Sequence, residues 1–184
     1  MRILFIHGGG DGAYAFDRDM ASGLRDALRD MPPIEYPHID GLERIEWERA
    51  HSQLAEVLHD SPERTIVIAH SIGGTAVLKL FTLDACDHVA NAFLLAPPYK
   101  AADSHWGVDD FTFPNDFATH LSPEIGIAIY HSQDDAIIPV GDAIAYHEKL
   151  PDAKLLLLKQ GGHQFAGGLA AIADDIRSAV RAAS

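Results

Sequence analysis

A single cysteine, Cys86, in 184 residues leaves no partner for an intramolecular disulfide. Packing alone must therefore hold the fold, as is usual for proteins of a reducing compartment. Basic residues are scarce beside acidic ones: 14 Lys and Arg stand against 27 Asp and Glu, a formal charge of −13. Phosphate backbones are bound by clustered Lys and Arg, so nucleic acid is excluded as the main partner. An anionic membrane surface is a poor match for the same reason. No apolar run approaches the ~20 residues that span a bilayer. The opening stretch Met1-Arg2-Ile3-Leu4-Phe5-Ile6 is too short for the apolar core of a signal peptide and runs straight into glycines. Linkers, internal repeats and low-complexity tracts are also lacking. The expectation is one domain, residues 1–184, working in the cytoplasm. What is present, 47% hydrophobic and 22% charged residues, is the composition of a chain that can bury a core.

Short apolar runs alternate with stretches of helical period. Strands are predicted at 3–6, 34–36 (weakly), 65–69, 92–95, 127–130 and 155–158. Most are continuously apolar, as expected of strands covered on both faces. Between them Phe16, Met20, Leu24, Ala27 and Leu28 recur at helical spacing, followed less regularly by Leu42, Ile45, Leu54, Val57 and Leu58. Asp40 and Glu43 have the spacing of an N-cap with its capping-box partner. A helix is predicted after Gly73 with Ala76, Val77, Leu80 and Phe81 inward, and another over 141–150 ending at Pro151. Leu169, Ile172, Ile176 and Val180 mark the inner face of a last one. The pattern predicts an α/β fold, a three-layer α/β/α sandwich around a mostly parallel sheet of about six strands.

The strongest chemical signal is Ile66-Val67-Ile68-Ala69-His70-Ser71-Ile72-Gly73-Gly74. A buried strand ends in a small-x-Ser-x-Gly turn and leads into a helix. Such a nucleophile elbow needs small residues around a strained serine, which is pushed out above the sheet. Ala69 stands where the motif usually has glycine. The competing role for Ser71 is a helix N-cap. The following helix aims its first amides and dipole at the serine. The Ile72 amide is thus one candidate oxyanion donor.

The second donor in such sites comes from the loop after the first central strand, here His7-Gly8-Gly9-Gly10. Gly9 is the first choice, with Gly8 and Gly10 as alternatives, and His7 reads as a support for the loop. The loop lacks the Gly-Lys-Ser/Thr ending of a P-loop and is a poor dinucleotide fingerprint. No cofactor is expected.

A serine nucleophile needs a base, and the base needs an orienting acid. In chain order these should follow as acid, then histidine, at strand ends. After the fifth strand comes Asp134-Asp135-Ala136-Ile137-Ile138-Pro139, which points to Asp135, with Asp134 as the alternative. After the sixth comes Gly161-Gly162-His163, a glycine pair that frees a histidine to reach over the sheet. Catalysis is therefore expected from Ser71, Asp135 and His163. No histidine pair has metal-ligand spacing; His51 and His59 are two helical turns apart, and no metal is expected. Cys86 reads as a packed residue.

The longest irregular piece, 97–124, holds Trp106, Phe111, Phe113 and Phe117. It is either a substrate-pocket wall or small lid, with Trp106, Phe111 and Phe113 lining the pocket, or a loop with a minor aromatic core of its own.

Together these motifs resemble the small serine hydrolases related to retinoblastoma-binding protein nine. The resemblance runs over essentially the whole chain. It rests on Gly8–Gly10 and Gly12, on Trp47, on Ala69-His70-Ser71-Ile72-Gly73-Gly74, on Asp134 to Pro139, and on Gly161-Gly162-His163. It implies a compact α/β-hydrolase with a short sheet, no large cap domain and a Ser-Asp-His triad. Ala69, and His7 ahead of the glycines, depart from the family pattern. The expected activity is an esterase-like serine hydrolase taking a small-molecule acyl substrate through an acyl-enzyme. Amidase or peptidase activity, acyl transfer, and a non-catalytic protein-binding module on the same scaffold are the alternatives.

Overall fold

The computed structural model describes residues 1–60, 62–100 and 110–183. Its strands are β1 (Arg2–Ile6), β2 (Ile34–Glu35), β3 (Thr65–His70), β4 (Val89–Leu95), β5 (Gly126–Ser132) and β6 (Lys154–Leu158). They form one sheet in the order β2-β1-β3-β4-β5-β6, and every neighbouring pair is parallel. The helices are α1 (Ala13–Phe16), α2 (Arg18–Ala27), α3 (Asp40–Glu43), α4 (Trp47–His59), α5 (Ile72–Leu83), α6 (Val140–Lys149) and α7 (Leu169–Ala183). A 3₁₀ turn covers Phe117–His120.

The period of two along each strand divides the core into two layers. Leu4, Ile6, Val67, Ala69, Ala92, Leu94 and Ile129 pack on one face with residues of α3 to α6. Ile3, Phe5, Ile66, Ile68, Phe93, Leu95 and Tyr130 pack on the other with α2 and α7. Burying both faces is why the strands read as unbroken apolar runs, and each fully buried Ile, Leu or Phe contributes about 1.5–3 kcal/mol. Ala76, Val77, Leu80 and Phe81 point inward from α5, as their spacing predicts. Among the described residues, no helix is long and apolar enough to cross a membrane.

Three local expectations are corrected. The helical period through Phe16 to Leu28 is interrupted at Asp17, which ends α1 and precedes α2, and Phe16 is left 75% exposed rather than inward. Asp40 is not an N-cap: Ile39 holds that position, and the Asp40 carboxylate instead pairs with Arg44 at 2.8 Å and Arg49 at 2.5 Å. The run Leu155–Leu158 is a strand, but an edge strand with one neighbour, so its leucines are half-buried rather than covered on both faces.

Because all strands run the same way, their C-terminal ends share one edge of the sheet. The loops after β1, β3, β5 and β6 gather there. The strand order reverses between β1 and β3, where open α/β sheets present their crevice.

Candidate active site

Ser71 sits between β3 and α5 with φ 50° and ψ −130°. A non-glycine residue there carries about 1–3 kcal/mol of strain, which the surroundings must hold in place. They do so by backbone bonds: Ser71 N–H donates to the Leu95 carbonyl (2.8 Å), and Gly74 N–H donates to the Ser71 carbonyl (2.9 Å). Ser71 occupies the N-cap position of α5, yet its side chain makes no capping hydrogen bond. The capping role is thus not the one its hydroxyl performs.

Glycine at 73 is required by contact. A Cβ there would lie 2.1 Å from the His7 carbonyl oxygen, so the elbow and the β1 loop approach only because nothing stands between them. Gly73→Ala is expected to lower stability by at least the ~1–3 kcal/mol typical of overpacking, and to abolish activity by prising the two loops apart. Urea denaturation and an ester assay check this, and a wild-type midpoint would contradict the contact.

The β1 loop lies against the elbow. A Cβ on Gly9 would fall 2.8 Å from both Cβ and Cγ2 of Ile72. The Ile72 N–H belongs to the first turn of α5, whose amides have no intrahelical partner. His7 holds the loop from beneath. Its Nε2 accepts the Ile39 N–H (2.9 Å), so the ring proton is on Nδ1, which donates to the Gly8 carbonyl (2.8 Å). Burial pushes the His7 pKa below its ordinary value, favouring this neutral form.

Asp135 and His163, 28 residues apart, meet: His163 Nδ1 donates to Asp135 Oδ2 at 2.7 Å. The other carboxylate oxygen accepts the Ile137 and Ile138 amides at 2.8 and 2.9 Å. Burial alone would raise the Asp135 pKa, but the bond from His163 and the two amides outweigh it and hold the carboxyl below its usual range. Asp134 has another task. It accepts the Gly162 amide (2.9 Å) and the Gly161 amide (3.3 Å), and so fixes the turn from which His163 projects. Gly161 and Gly162 have φ of 146° and 58°, which only glycine adopts without strain.

The His163 ring and Ser71 line one cleft of about 420 Å³, together with Gly9, His70, Phe16 and Ile137. Among the described residues, His163 Nε2 forms no hydrogen bond, and no bond yet joins it to the Ser71 hydroxyl. In unliganded sites that contact is commonly long and tightens with substrate. Phe16 and Ile137 are 75% and 63% exposed, unusual for large apolar side chains flanking a polar cleft.

Phe111 and Phe113 do not line this cleft, which corrects the pocket expectation. They are 0% and 2% exposed and pack in the core, Phe111 edge-on to Trp47 and Phe113 against Phe117 and Tyr146. Rings this large bury more area inward than a shallow cleft offers, so the alternative of an aromatic core holds for these two. Trp106 lies outside the described residues.

Several residues escaped sequence reasoning. Asp17, His70 and Gln164 form a polar cluster under the cleft. His131 is fully buried, donates from Nε2 to the Ile138 carbonyl (2.9 Å) and stands 3.5 Å from Asp135 Oδ2. Burial pushes its pKa down, so it supports the acid loop as a neutral ring and not as an ion-pair partner. Phe16 and Ile137 carried a usable signal, being apolar residues beside the glycine loop and inside the acid turn. Among the described residues, no group of three or more His, Cys, Asp or Glu side chains is arranged to hold a metal ion.

A family model described as serine hydrolase matches residues 33–168. Among solved structures, the ydeN gene product of B. subtilis superposes with a TM-score of 0.73 at 18% identity, covering 98% of each chain. A serine hydrolase involved in carbazole degradation, the CarC enzyme, gives 0.73 at 14% identity, covering 98% of this chain and 91% of that one. Esterase PE8 gives 0.68 at 21% identity, with 96% and 91% covered. At such identities the likeness establishes the fold, that of the α/β hydrolases. No curated protein matches the chain.

Proposed function

This chain belongs to the serine hydrolase family, and we propose that it cleaves a small carboxylic ester through an acyl-enzyme, with Ser71, His163 and Asp135 as the triad of a single catalytic domain. The Ser71 hydroxyl attacks the carbonyl carbon while His163 Nε2 takes its proton. The oxygen of the tetrahedral intermediate gains a negative charge beside the Gly9 and Ile72 amides. The intermediate collapses: the bond to the alcohol oxygen breaks, Nε2 returns the proton to it, and Ser71 keeps the acyl group. Water then attacks the acyl-serine with His163 as base, the carboxylic acid leaves, and Ser71 recovers its proton. Asp135 fixes the proton on Nδ1 and stabilises the imidazolium formed in each half.

The observation that carries this reading is the 2.7 Å bond between His163 Nδ1 and a buried carboxylate already held by two amides. A low-lying carboxylate is the partner that keeps the imidazole ready to accept on its other nitrogen. Cys86 offers no competing nucleophile, since burial pushes its thiol up to about 11. A lone, buried thiol also supports a cytoplasmic working place.

Rapid mixing with p-nitrophenyl acetate tests the proposal. The expected result is a burst of p-nitrophenol close to one per enzyme, followed by slower turnover. No hydrolysis of any p-nitrophenyl ester by folded protein would overturn it, and a clear preference for long acyl chains would overturn the small substrate. Phe16 and Ile137 support a substrate with an apolar group lying against them. Phe16→Ala is expected to raise KM for p-nitrophenyl butyrate by about 4- to 12-fold with kcat little changed, since roughly half the ~1.5–3 kcal/mol of a buried Phe is lost. An unchanged KM would remove Phe16 from the binding surface.

A further inference from the structure

Beneath the Asp135–His163 pair lies a second carboxylate–imidazole couple. His70, the last residue of β3, and Asp17, between α1 and α2, are 1% and 2% exposed. His70 Nδ1 is 2.8 Å from Asp17 Oδ2, and its Nε2 is 3.0 Å from the backbone carbonyl of His163. A carbonyl oxygen only accepts, so the second contact requires a proton on Nε2. Asp17 is itself gripped: Gly8 N–H donates to Oδ2 (2.7 Å) and Gln164 Nε2 to Oδ1 (3.2 Å). Burial would raise the Asp17 pKa, but the bonds from His70, Gly8 and Gln164 outweigh it and hold the carboxyl below its usual range.

The couple joins three loops that are distant in sequence. Gly8 belongs to the loop after β1, His70 precedes the elbow serine, and His163 and Gln164 belong to the loop after β6. The His70 and His163 rings lie 4.5 Å apart at a 48° tilt. Asp134 holds the His163 loop from one side through the Gly161 and Gly162 amides. His70 holds it from the other through the carbonyl of His163 itself.

We propose that His70 is a positioning residue: oriented by Asp17, it donates from Nε2 to the His163 carbonyl and so sets the backbone from which the proton-shuttling ring reaches Ser71. The proposal rests on the triad reading above.

The two side-chain amides separate the roles of the two ring nitrogens. In His70→Asn the amide nitrogen takes the place of Nδ1, so the bond to Asp17 survives and the one to His163 is lost. In His70→Gln it takes the place of Nε2, so the bond to His163 survives. The expected result is a fall in kcat of about 10–100-fold for H70N with KM near wild type, since displacements of an ångström carry costs of this size. H70Q should recover most of that loss. A wild-type kcat in folded H70N, or an H70Q no better than a folded H70N, would overturn the proposal. Ring nitrogen NMR of the wild-type protein labelled with ¹⁵N-histidine tests it without a variant: His70 Nε2 is expected to bear a proton, and a bare Nε2 would overturn it. Fluorophosphonate labelling separates the two claims. An unlabelled wild type sinks the triad reading, whereas a labelled wild type with H70N labelled equally fast sinks only the role of His70.

Discussion

Asp135→Asn is expected to lower kcat by about 10⁴-fold while KM changes little. The reason is the direction of a proton. The asparagine oxygen can keep the bonds from the Ile137 and Ile138 amides, which hold Oδ1 at 2.8 and 2.9 Å. Its amide nitrogen must then occupy the position of Oδ2 and donate to His163 Nδ1. The ring is driven to the opposite tautomer, with its proton on Nε2, where it cannot accept the one from Ser71. Asp134→Asn is the control. Among the described residues Asp134 accepts the Gly162 amide on Oδ1 and the Gly161 amide on Oδ2. An asparagine oxygen can keep the shorter of these and only the longer is lost, so a fall of no more than about tenfold is expected. Steady-state kinetics on p-nitrophenyl acetate distinguish the two. If Asp134→Asn proved the more damaging, the acid would have been assigned to the wrong residue of the pair.

Ser71→Ala should cost more, about 10⁶-fold in kcat, because without the nucleophile only the oxyanion donors and binding remain. The substitution should leave stability within about 0.5 kcal/mol. The Ser71 side chain caps nothing, and alanine meets the same backbone strain at φ 50° as serine does. Loss of turnover together with an unchanged urea midpoint is the expected pair of results. Substantial turnover in the purified variant would mean that another group attacks.

These predictions draw on two kinds of information, unequally visible in the chain. Strand positions were legible because covering a parallel sheet on both faces leaves continuous apolar runs. Their ends then singled out Ser71, Asp135 and His163 as candidates without any contact being known. What was not legible depended on the third dimension. The period from Phe16 to Leu28 continues through Asp17, so nothing local shows that the chain breaks there and turns Phe16 toward the cleft. The aromatic residues of 97–124 announce buried area but not which way it faces, and Phe111 and Phe113 went to the core. Leu155–Leu158 reads like a central strand because an edge is a property of neighbours. The Asp17–His70 couple joins residues 53 apart, and neither has a spacing to the other that periodicity could flag.

The proposed hydrolysis depends on Ser71 being the group that attacks. Treating the folded protein with a fluorophosphonate and mapping the adduct by mass spectrometry tests this most directly, because such probes are captured by the activated serine and need no knowledge of the substrate. One adduct per chain, on the peptide carrying Ser71 and absent from Ser71→Ala, is the predicted result. No adduct on folded wild-type protein, or one that survives the alanine substitution, would contradict it.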